Sequence, residues 1–183
     1  MVATIHRKTI DELHAMPDDG RRYELIDGEI VVSVAPGELH FWVSRRLIRL
    51  LLPFDEVYQL GWLYWAPLEL FLPNGDAVQP DLYFFSREHP PARPGSHLEG
   101  VPSLVAEVSS RSTRDIDRGR KFRAYQRAGV PEYWMADPEQ RLVHAYILRN
   151  GHYERLPQDG SIIRSVVLPG FEVNVEELFA DLP

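Results

Sequence analysis

Turn-forming dipeptides cut this chain into pieces that suit a sheet-centred fold. Asp27-Gly28, Asn74-Gly75 and Asn150-Gly151 accept the positive φ angles of tight turns and stand among short β-prone runs. Residues 23–36 therefore read as a β-hairpin about Asp27-Gly28. The aromatic-rich stretch 57–72, broken by Gly61 and Pro67, suits two short strands. DLYFF (81–85), SLVAEVS (103–109) and EYWMADP (132–138) read as further strands, and RLVHAYIL and HYERL form a second hairpin across Asn150-Gly151. Helical periodicity interrupts this pattern. A brief helix before Pro17 comes first. From 37 to 52, Leu39, Val43, Leu47, Leu50 and Leu51 recur at helical spacing opposite Arg45, Arg46 and Arg49, and Pro53 is expected to stop that helix. A third helix spans 113–128 and closes at Gly129. Prolines and glycines between 86 and 100 predict a loop able to move over a substrate. Hairpin, helix, strands, helix and strands in that order predict a mixed α/β (α+β) fold in one domain over 1–183. Its parts are an N-terminal segment (1–20), a core (21–150) and C-terminal strands with a short helix (151–183).

Several function classes drop out on composition. The apolar run at 47–54 contains Arg49 and ends near Pro53, short of the roughly 20 residues that cross a bilayer. The first residues lack a signal-peptide pattern, so the expected compartment is cytoplasmic. Without cysteine the chain forms neither disulfides nor thiolate zinc sites. A net charge of −7 argues against a general basic coat, but not against a local basic surface.

Three residues carry the chemistry. Side chains alternate along a strand, so Asp81 shares a face with Tyr83 and Phe85, and Glu107 shares one with Val105 and Ser109. Glu107 is thus an acid inside an apolar strand, where it requires a cation, a metal or a proton. If the two strands pair, Asp81 and Glu107 point into one cleft and form an oxygen-rich site suited to magnesium, with manganese as the alternative. Eighteen of the 20 basic residues are Arg, which makes the mid-chain Lys121 an exception. It falls on the sheet-facing stripe with Phe122 and Tyr125, where a compact ammonium has a specific target. A metal on paired carboxylates beside an ammonium suits hydrolysis of a phosphodiester.

At this point the motifs resemble a known family. PD (80–81), AEVSS (106–110), DRGRKFRAYQRAGVPEYWMADP (117–138), ELIDGEIV (24–31) and VAPGELH (34–40) are together similar to the Uma-two family of bacterial restriction endonucleases, a branch of the PD-(D/E)XK nuclease superfamily. The likeness covers about residues 20–150 and implies a restriction-endonuclease-like mixed sheet of about four core strands flanked by helices, with metal ligands on neighbouring strands. By that resemblance Asp81 and Glu107 are the metal-binding acids. Ser109 occupies the usual lysine position, and Lys121 on the following helix matches the displaced lysine. The resemblance also suggests Glu24 as a further acid, since the superfamily often carries an N-terminal glutamate.

Supporting residues follow from position. Tyr125, one turn beyond Lys121, is a candidate to position it, and His40 is a candidate to face the cleft. Residues 111–127 carry net +5, so Arg114 and Arg118 are candidate contacts to a DNA backbone. Phe41, Trp42, Trp62, Tyr64 and Trp65 are candidates for a homodimer interface or for core packing. The leading reading is a metal-dependent DNA endonuclease. The alternatives are an inactive nuclease-fold protein that binds nucleic acid or assembles, favoured by Ser109, and a phosphodiesterase acting on RNA.

Overall fold

The computed structural model of the chain describes residues 7–93, 95–109 and 116–183, the last stretch with side chains from residue 119 onward. A short helix α1 (Ile10–His14), capped by Thr9, leads into the hairpin β1 (Arg22–Ile26) and β2 (Glu29–Ser33). Helix α2 (Glu38–Glu56) follows, then β3 (Gly61–Trp65), β4 (Leu70–Phe71), β5 (Ala77–Val78), β6 (Leu82–Ser86), β7 (Leu98–Glu99) and β8 (Leu104–Val108). A π-helical turn (Ile116–Lys121) runs straight into α3 (Phe122–Ala128). The chain continues through β9 (Glu132–Asp137), β10 (Leu142–Arg149), β11 (His152–Arg155), β12 (Ile162–Arg164), β13 (Glu172–Asn174) and α4 (Val175–Leu178).

Among the described residues the strands form three sheets. The large one has six strands in the order β11-β10-β9-β8-β6-β3, antiparallel except where β8 and β9 run parallel. That parallel pair is joined across α3, since parallel neighbours need a crossover connection. The smaller sheet has five strands in the order β2-β1-β5-β4-β7, and β12 pairs with β13. The hairpin expected at Asp27-Gly28 is therefore present but belongs to a separate sheet.

Alternation along the large sheet builds two cores. On one face Leu82, Phe84, Leu104, Ala106 and Trp134 pack against Val43, Leu47, Leu51 and Phe54 of α2 and against the C-terminal Phe171 and Phe179. On the other, Tyr83, Phe85, Val105, Tyr133 and Met135 pack against Ala124 and Tyr125 of α3 and against Ile26, Leu70 and Val78 of the small sheet. Each apolar set has the period of its element, 2 on the strands and near 3.6 on the helices.

Two local expectations are corrected. Helix α2 does not stop at Pro53 but runs through it to Glu56. Burial of Leu51 and Phe54, with Phe54 set edge-on to Phe171, holds the last turn helical although Pro53 offers no N–H. The segment 86–100 is not wholly irregular, because its Leu98–Glu99 pairs in parallel with β4 and Glu99 bridges to Ala92. Gly129 ends α3 as expected, at φ 84, a conformation that a side chain disfavours. Gly61 permits the β3–β6 contact, since a Cβ there would lie 1.9 Å from the Phe85 carbonyl oxygen.

Candidate active site

Asp81 stands where the chain leaves β5 of the small sheet and, through Gln79 and Pro80, enters β6 of the large one. In β6 and β8 Leu82 faces Ala106, so the next step in the same register sets Asp81 opposite Glu107. The Asp81 backbone N–H donates to Glu107 Oε2 at 3.4 Å, and the Val108 N–H donates to Asp81 Oδ2 at 2.8 Å. The pairing that the sequence left conditional thus brings both acids to one end of the sheet.

Glu107 projects from β8 toward α3 and the small sheet. Lys121, the last residue of the π-helical turn, places its ammonium 3.0 Å from Glu107 Oε1 and 3.1 Å from Glu24 Oε1. The Tyr125 hydroxyl, four residues on and so on the same helix face, donates to Glu107 Oε1 at 2.5 Å. Burial, reinforced by the charges of Glu107 and Glu24, raises the Tyr125 phenol well above its ordinary value and keeps it a donor. Glu24 also accepts from the Gln79 N–H at 2.8 Å, which ties the hairpin to the strand junction. Glu24 and Lys121 are 1% and 3% exposed. A hairpin acid commonly lies in water; this one is buried because it meets Lys121.

Asp81 is reached from both sides of the sheet. Arg22 donates to Oδ1 at 3.1 Å from β1, and His40 Nε2 donates to Oδ2 at 2.8 Å from the first turn of α2. Burial alone would raise the Asp81 carboxyl, but the hydrogen bond and charge of His40, then the charges of Arg22 and Lys121, outweigh it. Asp81 therefore stays well below the usual carboxylate range. Arg22 is raised by the same logic: burial opposes its charge, and Asp81, Glu24 and Glu107 more than restore it.

The structure thus gathers Asp81, Glu107, Lys121, Glu24, Tyr125 and His40 into one connected cluster. Arg22 was missed by sequence reasoning. A signal existed, because Arg22 lies two residues before Glu24 and so on the same face of β1. Ser109 does not face the acids with its hydroxyl, which donates to the Ala136 carbonyl at 3.3 Å. Of the proposed backbone contacts, Arg114 lies outside the described residues, as does the side chain of Arg118. Two other members of the basic segment are paired: Arg120 bonds Glu29, and Arg127 lies 3.5 Å from Asp76 and 3.8 Å from Asp27. The aromatic group divides, with Trp62 and Tyr64 packed on the second core while Phe41 and Trp65 are exposed.

The donor set bears on a metal. Among the described residues no three His, Cys, Asp or Glu side chains group as a cation site. Asp81 and Glu107 do offer hard carboxylate oxygens, the donor type that divalent cations take. Among the described residues no helix is long and apolar enough to cross a membrane.

Comparison with known proteins gives two findings. Residues 10–176 match the family Uma2, described as "Putative restriction endonuclease". The chain is also similar to a crystal structure described as "a putative nuclease belonging to DUF820" from Anabaena variabilis. The TM-score is 0.77 at 15% identity, with 93% of this chain and 97% of that chain covered, so the two share a fold. No curated protein matches.

Proposed function

The chain belongs to the Uma2 family, and on that premise we propose that it is a divalent-metal-dependent endonuclease hydrolysing DNA phosphodiesters. The observation that carries this reading is the buried Lys121 ammonium 3.0 Å from Glu107, whose other oxygen meets the backbone of Asp81. Asp81 and Glu107 are the residues that would hold the cation, magnesium first and manganese as the alternative. When bound, such a cation polarises a phosphodiester and lowers the pKa of the attacking water. Lys121 supplies a fixed positive charge for the phosphate as negative charge develops, and Glu24 and Tyr125 hold it and Glu107 in register. Arg22 and His40 hold Asp81 ionised and oriented. A homodimer would present one such site to each strand of a duplex.

A cleavage assay on supercoiled plasmid and single-stranded circular DNA tests this. Cutting is expected to require magnesium or manganese, to stop with chelator, and to fall roughly a hundredfold or more in Asp81→Asn, Glu107→Gln and Lys121→Met. Undiminished metal-dependent cutting by all three variants rejects the assignment.

A second reading draws on one observation: both oxygens of Asp81 already have partners, Arg22 on one side and His40 with Val108 on the other. On that reading the cluster is structural and the protein binds nucleic acid without cutting it. Calorimetric titration with magnesium separates the two, since a structural cluster takes up no ion.

A further inference from the structure

A cleft of about 580 Å³ opens beside Asp81 and His40. Two large aromatics line it, and both are unusually exposed: Phe41 of α2 at 61% and Trp65, the last residue of β3, at 46%. Arg45 adds positive charge to the same cleft, and Arg21, paired with Asp19, also lines it. Arg45 is held over the Trp42 ring with its guanidinium 4.6 Å from the centroid. Because Asp81 belongs to both the cleft and the acidic cluster, a ligand in this cleft lies next to the candidate catalytic groups.

We infer that this cleft receives an unpaired base of the strand to be cut, so that the substrate is nucleic acid with a single-stranded or extruded stretch rather than continuous duplex. The inference rests on the nuclease reading above and narrows its substrate. Its physical basis is the combination of exposed ring faces with the Arg45 guanidinium, which matches a base attached to a phosphate backbone. Inside a duplex both faces of a base are already stacked, so only a base outside the stack offers a face to Trp65 or Phe41. The volume falls within the roughly 300–1,000 Å³ of pockets that enclose small ligands, which suits a nucleotide and not a double helix.

Fluorescence anisotropy with labelled DNA tests the inference on the full chain, in chelator so that no strand is cut. The probes are a single-stranded oligonucleotide, its blunt duplex, and that duplex with a central unpaired stretch. The wild type is expected to bind the single strand and the interrupted duplex at least about tenfold more tightly than the blunt duplex. Trp65→Ala and Phe41→Ala are each expected to lose roughly fivefold or more on the unpaired probes, with blunt-duplex affinity changed less than about twofold. Trp65→Phe, which keeps a ring, should retain binding. Both positions are exposed, so truncation leaves the core intact.

Equal affinity for single strand and blunt duplex overturns the inference, as does an equal loss on all probes or no binding to any. Failure of the nuclease reading looks different. Single-strand preference that depends on Trp65, without metal-dependent cutting, leaves the cleft as a binding site and removes the catalyst. Cutting that depends on Asp81 and Glu107, without single-strand preference, does the reverse.

Discussion

Lys121 reaches Glu107 at 3.0 Å from a separate helical element, while Ser109, two residues after Glu107 on its own strand, turns its hydroxyl to the Ala136 carbonyl. An ammonium and a carboxylate thus meet in a buried site without the local strand spacing that would ordinarily bring them together. The same ammonium lies 3.1 Å from Glu24, which makes it one of the links between the two sheets.

Removing that ammonium leaves two buried carboxylates facing each other. Lys121→Met is expected to destabilise the protein by about 3–5 kcal/mol, read from urea unfolding. Lys121→Arg retains the charge and should recover part of the stability, but its larger planar head does not reproduce a point contact to two acids, so cleavage should stay low.

Tyr125→Phe deletes one hydroxyl that donates to Glu107. A hydrogen bond to a charged group typically contributes about 1.5–3 kcal/mol, and a loss of that size is expected in unfolding. As a positioning residue, Tyr125 should affect kcat by roughly tenfold with little change in KM, measured by initial rates on one oligonucleotide.

Asp81 sets an acid limb on stability. Its folded carboxyl lies below the ordinary value, with burial outweighed by His40, Arg22 and Lys121. The stabilisation from its ionised form is therefore fully present above the unfolded value of about 3.9 and is lost as pH falls through the lower folded value. The stability advantage of wild type over Asp81→Asn should stay level above about pH 5 and shrink below about pH 4. Urea midpoints across that range measure it; an advantage that grows on acidification would contradict the assignment.

Glu132 anchors the C-terminal segment. One of its oxygens accepts from Ser165 Oγ at 3.1 Å and from the N–H groups of Val166 at 2.8 Å and Val167 at 3.1 Å, and the other accepts from the Trp134 indole. Glu132→Gln must turn an NH₂ toward one of these donors, so a loss of about 1–3 kcal/mol is expected. Amide exchange should quicken first at Val166 and Val167.

Much of this architecture is legible in the chain. Asp27-Gly28 and Asn150-Gly151 mark hairpins that form, and the alternation through SLVAEVS sets Glu107 on a single face. The scarcity of lysine singles out Lys121, and the four-residue step to Tyr125 puts both on one helix face. These features depend on turn chemistry and side-chain period, which operate over a few neighbouring residues.

Other features depend on contacts between distant segments. Whether Glu24 is solvated or buried was undecided until β1 packed beside β5 and met Lys121. Arg22 follows the same rule, and so does the continuation of α2 through Pro53, which buried Phe54 enforces. Within the basic run, Arg120 and Arg127 are offset by Glu29, Asp27 and Asp76, acids that lie far from them in sequence. By itself the sequence determined the elements and the faces of their side chains, because sterics and alternation are local. Only the tertiary structure decided which charges lose water and which partner they gain, because the free energy of a buried ion depends on groups that the fold brings to it.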